Sequence, residues 1–429
     1  MTLLERSREE QQMLLLEVQE KLKQASSKNL QLNMARGNPS LQQINMVSDL
    51  FEELTLETYN NKEGMDVRNY GGLYGILEMR ELFSDLLKCS EEEVWCISSS
   101  SLTIEYDILS RLRLFPLPGQ NTPWPGENQV KFLCPVPGYD RHYNMLQQLG
   151  YEMIPIPMHK AGPDMEQVKA LCKNDPSIKG IWIVPLYSNP TGTSYSEEVL
   201  YDLLEMDAAP DFRIFADMAY VVHHLYEKEE EQDPVYPLLP MAREAKNPDR
   251  IFLFASTSKM TFPGAGVACL ATSAANQSWL LPSLSAQMIS SDKFIMWKHY
   301  HVFKQLGGVQ KLMARHANLL RPKFELVLNT LEEHLGPLGI ATWTKPRGGY
   351  FITVTVYPHT ATATYNRCKE LGVSLTHASA CFPYGNNPED NSMRIAPSYP
   401  SLDALAQAIE IYCLVQTEQA LLRIIEEQR

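Results

Sequence analysis

Cysteine pairs at metal-binding or redox spacing are missing from the 429 residues; Cys89, Cys96, Cys134, Cys172, Cys269, Cys368, Cys381 and Cys413 are scattered, with no CxxC. That pattern argues against a zinc ribbon or a disulfide scaffold and fits small buried hydrophobes in a reducing compartment, with the cytoplasm as the default. Long apolar runs are missing too. Met13–Leu16 is too short for a secretory core, and no other segment reads as a bilayer span. Positive charge is in deficit: 38 Lys and Arg against 51 Asp and Glu give a formal net charge of −13, which favours solubility and argues against nucleic-acid binding. The ten histidines include the pair His223-His224 but no HExxH, so no metal is expected. A serine-hydrolase elbow, GxSxG, is likewise absent.

What is present is an ordinary globular composition, long enough to bury a large core. Over Met1–Ser27 apolar residues recur at helical spacing (Leu3, Leu4, Met13, Leu14, Val18, Leu22), predicting an amphipathic helix. From about Glu78 to Ala271 short apolar runs alternate with helical stretches. Strands are predicted at Val94–Ile97, Val130–Leu133, Ile178–Pro185, Arg213–Ala216, Ile251–Ala255 and Val267–Ala271. Helices are predicted at Ser101–Leu112, Tyr139–Leu149, Met165–Lys173 and Ser196–Leu204. Such alternation predicts an α/β domain with a mostly parallel sheet. Beyond about Ala286 a long helical stretch, Met288–Leu335, breaks near Gly307-Gly308. Strands at Gly349–Val356, Val373–Leu375 and Met393–Ala396 and a closing helix, Leu402–Glu427, follow it. We therefore expect a large domain over 48–325, a small α+β domain over 326–429, and an N-terminal helix and arm, 1–47, joining the small one.

Ligands of open α/β sheets sit beyond the carboxyl ends of the strands, so the residues just after each strand matter most. After the first comes Ser98-Ser99-Ser100-Ser101, a hydroxyl-rich helix start that could cradle a phosphate or simply cap a helix. After the second, a Pro-Gly turn delivers Tyr139, either a stacking ring or a packing residue. Ser188-Asn189-Pro190-Thr191-Gly192 forms a turn that can project the Asn189 amide. Asp217-Met-Ala-Tyr220 places a carboxylate at the end of a buried strand, where it needs a donating partner or serves as a cap. Finally Ser256-Thr257-Ser258-Lys259 sets a lysine among hydroxyls before Gly264 and Gly266. A desolvated lysine has a lowered pKa and becomes a nucleophile toward an aldehyde. A phosphate cradle, an aromatic, an amide, a carboxylate and a lysine at one sheet edge are what pyridoxal 5′-phosphate requires.

In order and wording these segments resemble the fold-type I pyridoxal-phosphate enzymes, specifically the class I aminotransferases, from about Met34 to Ser398; the wording around Lys259 is most similar to a bacterial aspartate aminotransferase branch. The resemblance implies the aspartate aminotransferase-like fold and a role for each residue. Lys259 would form the Schiff base and carry the Cα proton. Asp217 would pair with the pyridine nitrogen, and Asn189 and Tyr220 would bond the phenolic oxygen. Tyr139 would stack on the ring, while Ser99, Ser100, Ser101 and Ser256 would hold the phosphate. Tyr70 would reach the phosphate of a neighbouring subunit, implying a homodimer with shared active sites. Arg394 would clamp the substrate carboxylate, with Gly37 and Asn189 on the substrate side. The chain departs from the class at Val267, where an arginine commonly grips the phosphate, in the all-serine cradle, and at Lys298-His299, where an Arg-His pair is expected.

These features imply amino-group exchange between an amino acid and a 2-oxo acid. The alternative is a lyase, replacement or annulation enzyme using the same cofactor chemistry. A non-catalytic regulatory protein that binds the cofactor is the distant third reading, since no basic helix-turn-helix precedes Met34.

Overall fold

Short runs of β-branched and aromatic residues bounded by turns assemble into one eight-stranded sheet. Its order is Val94–Ser98, Ala268–Thr272, Ile251–Ser256, Arg213–Asp217, Ile178–Ile183, Lys131–Val136, Glu152–His159 and Gly162–Pro163. The computed structural model describes residues 2–27, 30–124 and 129–428; Met1 and Arg429, the outer limits of the predicted segments, lie outside them. Neighbours from Ile251–Ser256 across to Glu152–His159 run parallel, whereas Ala268–Thr272 is antiparallel to both of its partners. The mostly parallel α/β sheet is the architecture the alternating pattern predicted.

Four strands were not anticipated: Glu152–His159 and Gly162–Pro163 in this sheet, and the short Leu32–Asn33 and Ala341–Trp343 outside it. Glu152–His159 carries Pro155 and Pro157, residues that lack the ladder N–H. It nevertheless pairs with Lys131–Val136 along its length, while toward the edge only Met158 and His159 are paired. Glu152 N–H donates inward to the Val130 carbonyl and Met153 N–H donates to the Tyr384 hydroxyl. By alternation both proline nitrogens therefore share the orientation of Met153, away from Lys131–Val136.

The smaller part holds an antiparallel sheet, Ala341–Trp343, Ile352–Val356 and Ser392–Ile395, in which Thr353 lies opposite Arg394. Leu32–Asn33 pairs in parallel with Val373–Ser374, which ties the N-terminal arm to this region. Leu3, Val18 and Leu22 join the closing helix Leu402–Glu427 in one apolar cluster with that sheet. Helix Val309–His334 serves both halves. Its Val309, Leu312 and Met313 pack in the large sheet's cluster, and its Leu320, Phe324, Val327 and Leu331 pack in the smaller one. The handover thus falls inside a continuous helix, and the expected bound at 325 marks no break in the chain.

All eight cysteines are free, and seven of them are buried. Among the described residues no helix is long and apolar enough to cross a membrane.

Candidate active site

Asp217 ends its strand and Ser256 ends the next, with Asp217 opposite Phe254 in parallel register, so both side chains emerge at one sheet edge. Lys259 follows in the turn leading to Gly266. Its backbone is held firmly: the carbonyl accepts from the Tyr350 hydroxyl at 3.3 Å and meets His223 Nε2 at 3.3 Å. Tyr350 in turn receives the Gln43 amide at 3.1 Å. The amine itself lies 4.8 Å from the centre of the Tyr220 ring. Burial pushes the Lys259 pKa down, and the Asp217 carboxylate opposes the shift.

Asp217 is 4 % exposed; its Oδ1 accepts from the Ala219 N–H at 2.9 Å and its Oδ2 lies 3.3 Å from His142 Nε2. The capping alternative is therefore partly realised through Ala219, with the second oxygen left to face the histidine. Tyr220 is buried beside it, and burial raises its hydroxyl pKa. Tyr139 sits edge-on to His142 with ring centres 5.0 Å apart, half-buried at the start of helix Asp140–Gln148.

Asn189 and Arg394, 205 residues apart in sequence, meet directly: the Asn189 Oδ1 accepts from the guanidinium at 3.1 Å. Arg394 also donates to the Thr376 hydroxyl at 2.7 Å and the Ala35 carbonyl at 3.3 Å, and its carbon lies 4.6 Å from the Phe351 ring centre. Its Nε–H is buried without a partner. With Oδ1 engaged, the NH2 group of Asn189 points away from the arginine.

The serines gather where two segments touch. Ser100 occupies the N-cap of helix Ser101–Leu114 without a side-chain capping bond; its carbonyl takes the Thr103 N–H at 3.2 Å, which leaves its hydroxyl and the Ser101 and Leu102 N–H groups open. Gly266 lets the Ser99 backbone approach: a Cβ there would fall 2.7 Å from the Ser99 oxygen and 3.1 Å from Ser258 Oγ. Ser258 receives the Ser256 hydroxyl at 3.1 Å, adding a residue the sequence reading gave no role. Val267 is buried in the apolar core. Lys298 lies over Phe51, and its neighbour His299 contacts the Thr261 hydroxyl at 2.9 Å.

Tyr70 stands apart from this cluster, 79 % exposed on a loop whose carbonyls at Asn69 and Gly71 are held by the buried Lys293 ammonium at 2.8 and 2.5 Å. Gly37 has a physical requirement beyond a plain turn: a Cβ there would lie 2.1 Å from Phe351 Cζ, and that ring supports Arg394. Gly37→Ala is expected to displace the ring and raise KM for the amino acid roughly 10-fold or more, at about 1.4 kcal/mol per decade. Steady-state kinetics checks this, and an unchanged KM would show that the ring yields freely.

His142, Glu105, Thr376 and Phe351 were not singled out from sequence. His142 stacks on Trp182 with ring centres 4.0 Å apart and planes 5° from parallel. Its one sequence signal is its place in the first turn after Tyr139; the others carry none.

Residues 7–422 match the aspartate amino-transferase family. An aspartate aminotransferase of Corynebacterium glutamicum is 40% identical over 92% of this chain and 90% of its own length. The crystal structure of an aspartate transaminase from the same species superposes with a TM-score of 0.95 at 38% identity, covering 99% of both chains. LysN, an α-aminoadipate aminotransferase of Thermus thermophilus complexed with N-(5′-phosphopyridoxyl)-L-leucine, shares the fold at a TM-score of 0.73 and 18% identity, covering 94% of this chain and 95% of its own.

Proposed function

Because the chain belongs to the aspartate amino-transferase family, a group of class I aminotransferases with the fold-type I architecture, we propose that the cluster around Lys259 binds pyridoxal 5′-phosphate and transfers the amino group of aspartate to a 2-oxo acid. As an aminotransferase it acts on small amino and oxo acids; the cofactor and the choice of aspartate are the finer parts of the proposal. The observation that carries it is Lys259, an amine with its pKa lowered by burial, set between Asp217 and Tyr220 at the strand ends.

The residues present fit the cofactor. The open Ser101 and Leu102 N–H groups and the uncommitted Ser100 hydroxyl, with Ser99 and Ser256, suit a phosphate without the arginine that Val267 replaces. Asp217 would face the pyridine nitrogen. The Asn189 NH2 and the Tyr220 hydroxyl would donate to the phenolic oxygen, and Tyr139 would cover the ring. When bound, the cofactor supplies an electron sink for the pair left as the substrate Cα–H bond breaks. Lys259 would hold the cofactor's aldehyde carbon and move the Cα proton. Arg394, with its unpartnered Nε–H, would grip the α-carboxylate beside Gly37 and Asn189. The exposed Tyr70, on its Lys293-anchored loop, suits reach into a second copy, so we assign a homodimer with shared sites, and the eight free cysteines suit a reducing cytoplasm. Residues 1–47 and 326–429 would form its small domain and 48–325 its large one.

A half-reaction tests this. Aspartate alone should bleach the visible band of the loaded protein and release one 2-oxo acid per site. Release of ammonia, or no response across a panel of amino acids, would refute transamination.

A further inference from the structure

Two buried titratable side chains at this site have no part in the scheme above. Glu105 lies in helix Ser101–Leu114, and His142 lies in helix Asp140–Gln148. Together with Asp217 they bring one nitrogen and carboxylate oxygens within 4.8 Å of one another. Glu105 is 0 % exposed, and neither of its oxygens has a hydrogen-bond partner. His142 Nε2 stands 3.6 Å from one of them, outside hydrogen-bond reach. Asp217 is better served: it accepts the Ala219 N–H, and the same Nε2 stands 3.3 Å away without closing a hydrogen bond.

Two carboxylates this close, out of water, do not both stay ionised. The proton settles where the negative charge is least supported, and that is the carboxyl with no donor. The titratable groups facing Glu105 are Asp217, His142, Lys259 and Tyr139. Lys259 favours its charged form, but burial and the Asp217 charge outweigh that and hold the Glu105 pKa well above the usual carboxylate range.

We propose that Glu105 is a neutral carboxylic acid and a positioning residue, acting through His142 so that of the two carboxyls only Asp217 carries negative charge. A neutral acid beside Nε2 leaves Asp217 as the one charged carboxylate facing that unpartnered nitrogen, whereas an ionised Glu105 would compete for it. The consequence for the ring nitrogen rests on the proposed cofactor; the proton on Glu105 does not.

Infrared difference spectra at neutral pH, loaded wild type minus Glu105→Gln, should show a carboxylic-acid C=O stretch that disappears in the variant. Carbon NMR of wild type labelled at its glutamate carboxyls, which needs no variant, should report one that stays protonated at neutral pH. In the loaded protein, Glu105→Leu should move the pH midpoint of the visible band by about 0.5 unit or more, with Glu105→Gln restoring it. A missing acid stretch, glutamate carboxyls that are all ionised, or a Glu105→Leu protein titrating as wild type would each overturn the proposal. A wild type with no visible band would sink the cofactor reading alone and leave the infrared result to decide Glu105.

Discussion

Lys259→Ala is expected to lose the visible absorption band and to lower kcat for transamination by at least about 10³-fold, because in the proposed scheme it would remove both the cofactor's anchor and the acid–base group at Cα. The expectation follows from its surroundings. The amine stands by the Tyr220 ring near the Asp217 carboxylate, with its backbone carbonyl held by Tyr350 and His223. Thermal stability without cofactor should hold or rise. Burial lowers the folded-state pKa of Lys259, so at neutral pH the unfolded chain binds its proton more readily, and that linkage works against the fold until the residue is removed. Spectra, single-turnover kinetics and a melting curve on one preparation separate these effects. A variant that kept both band and turnover would place the chemistry on another residue.

Arg394→Lys should instead keep the visible band and lower kcat/KM by about 10²- to 10³-fold, mainly through KM. A guanidinium presents five N–H donors in a rigid plane, and here that plane is fixed by Asn189, Thr376, the Ala35 carbonyl and the Phe351 ring. A lysine cannot hold those partners and a carboxylate together. Losing two charge-assisted hydrogen bonds costs about 3–4 kcal/mol, which gives the fold-change. Titration with a dicarboxylate inhibitor, monitored by the band, should show the same weakening. Equal affinity in both proteins would assign the carboxylate to another group.

The elements most legible in the sequence are those whose local pattern agrees with the fold. The parallel strands appear as apolar runs ending in polar signatures, and the closing helix Leu402–Glu427 was readable to its ends because a serine cap precedes continuous apolar periodicity. The strand Glu152–His159 was hidden by two prolines, since only sheet position shows that their nitrogens face away from the paired neighbour. The shared helix Val309–His334 obscured the division between the two halves, because one continuous periodicity feeds two cores. Ser100 shows the limit at single-residue scale: sequence placed it at a helix start, and the geometry showed that its hydroxyl is not spent on capping.

By itself the sequence determined the class of chemistry, because lysine, aspartate, asparagine and serines at successive strand ends must converge once the strands lie parallel. Tertiary structure alone decided how those groups are held. Asn189 meets Arg394, the Phe351 ring lies beneath the guanidinium, and Glu105 and His142 stand behind Asp217. Such contacts join segments far apart in the chain, where periodicity carries no information. Whether a buried carboxyl keeps its proton depends on which donors the fold brings to it, and for Glu105 it brings none within hydrogen-bond reach.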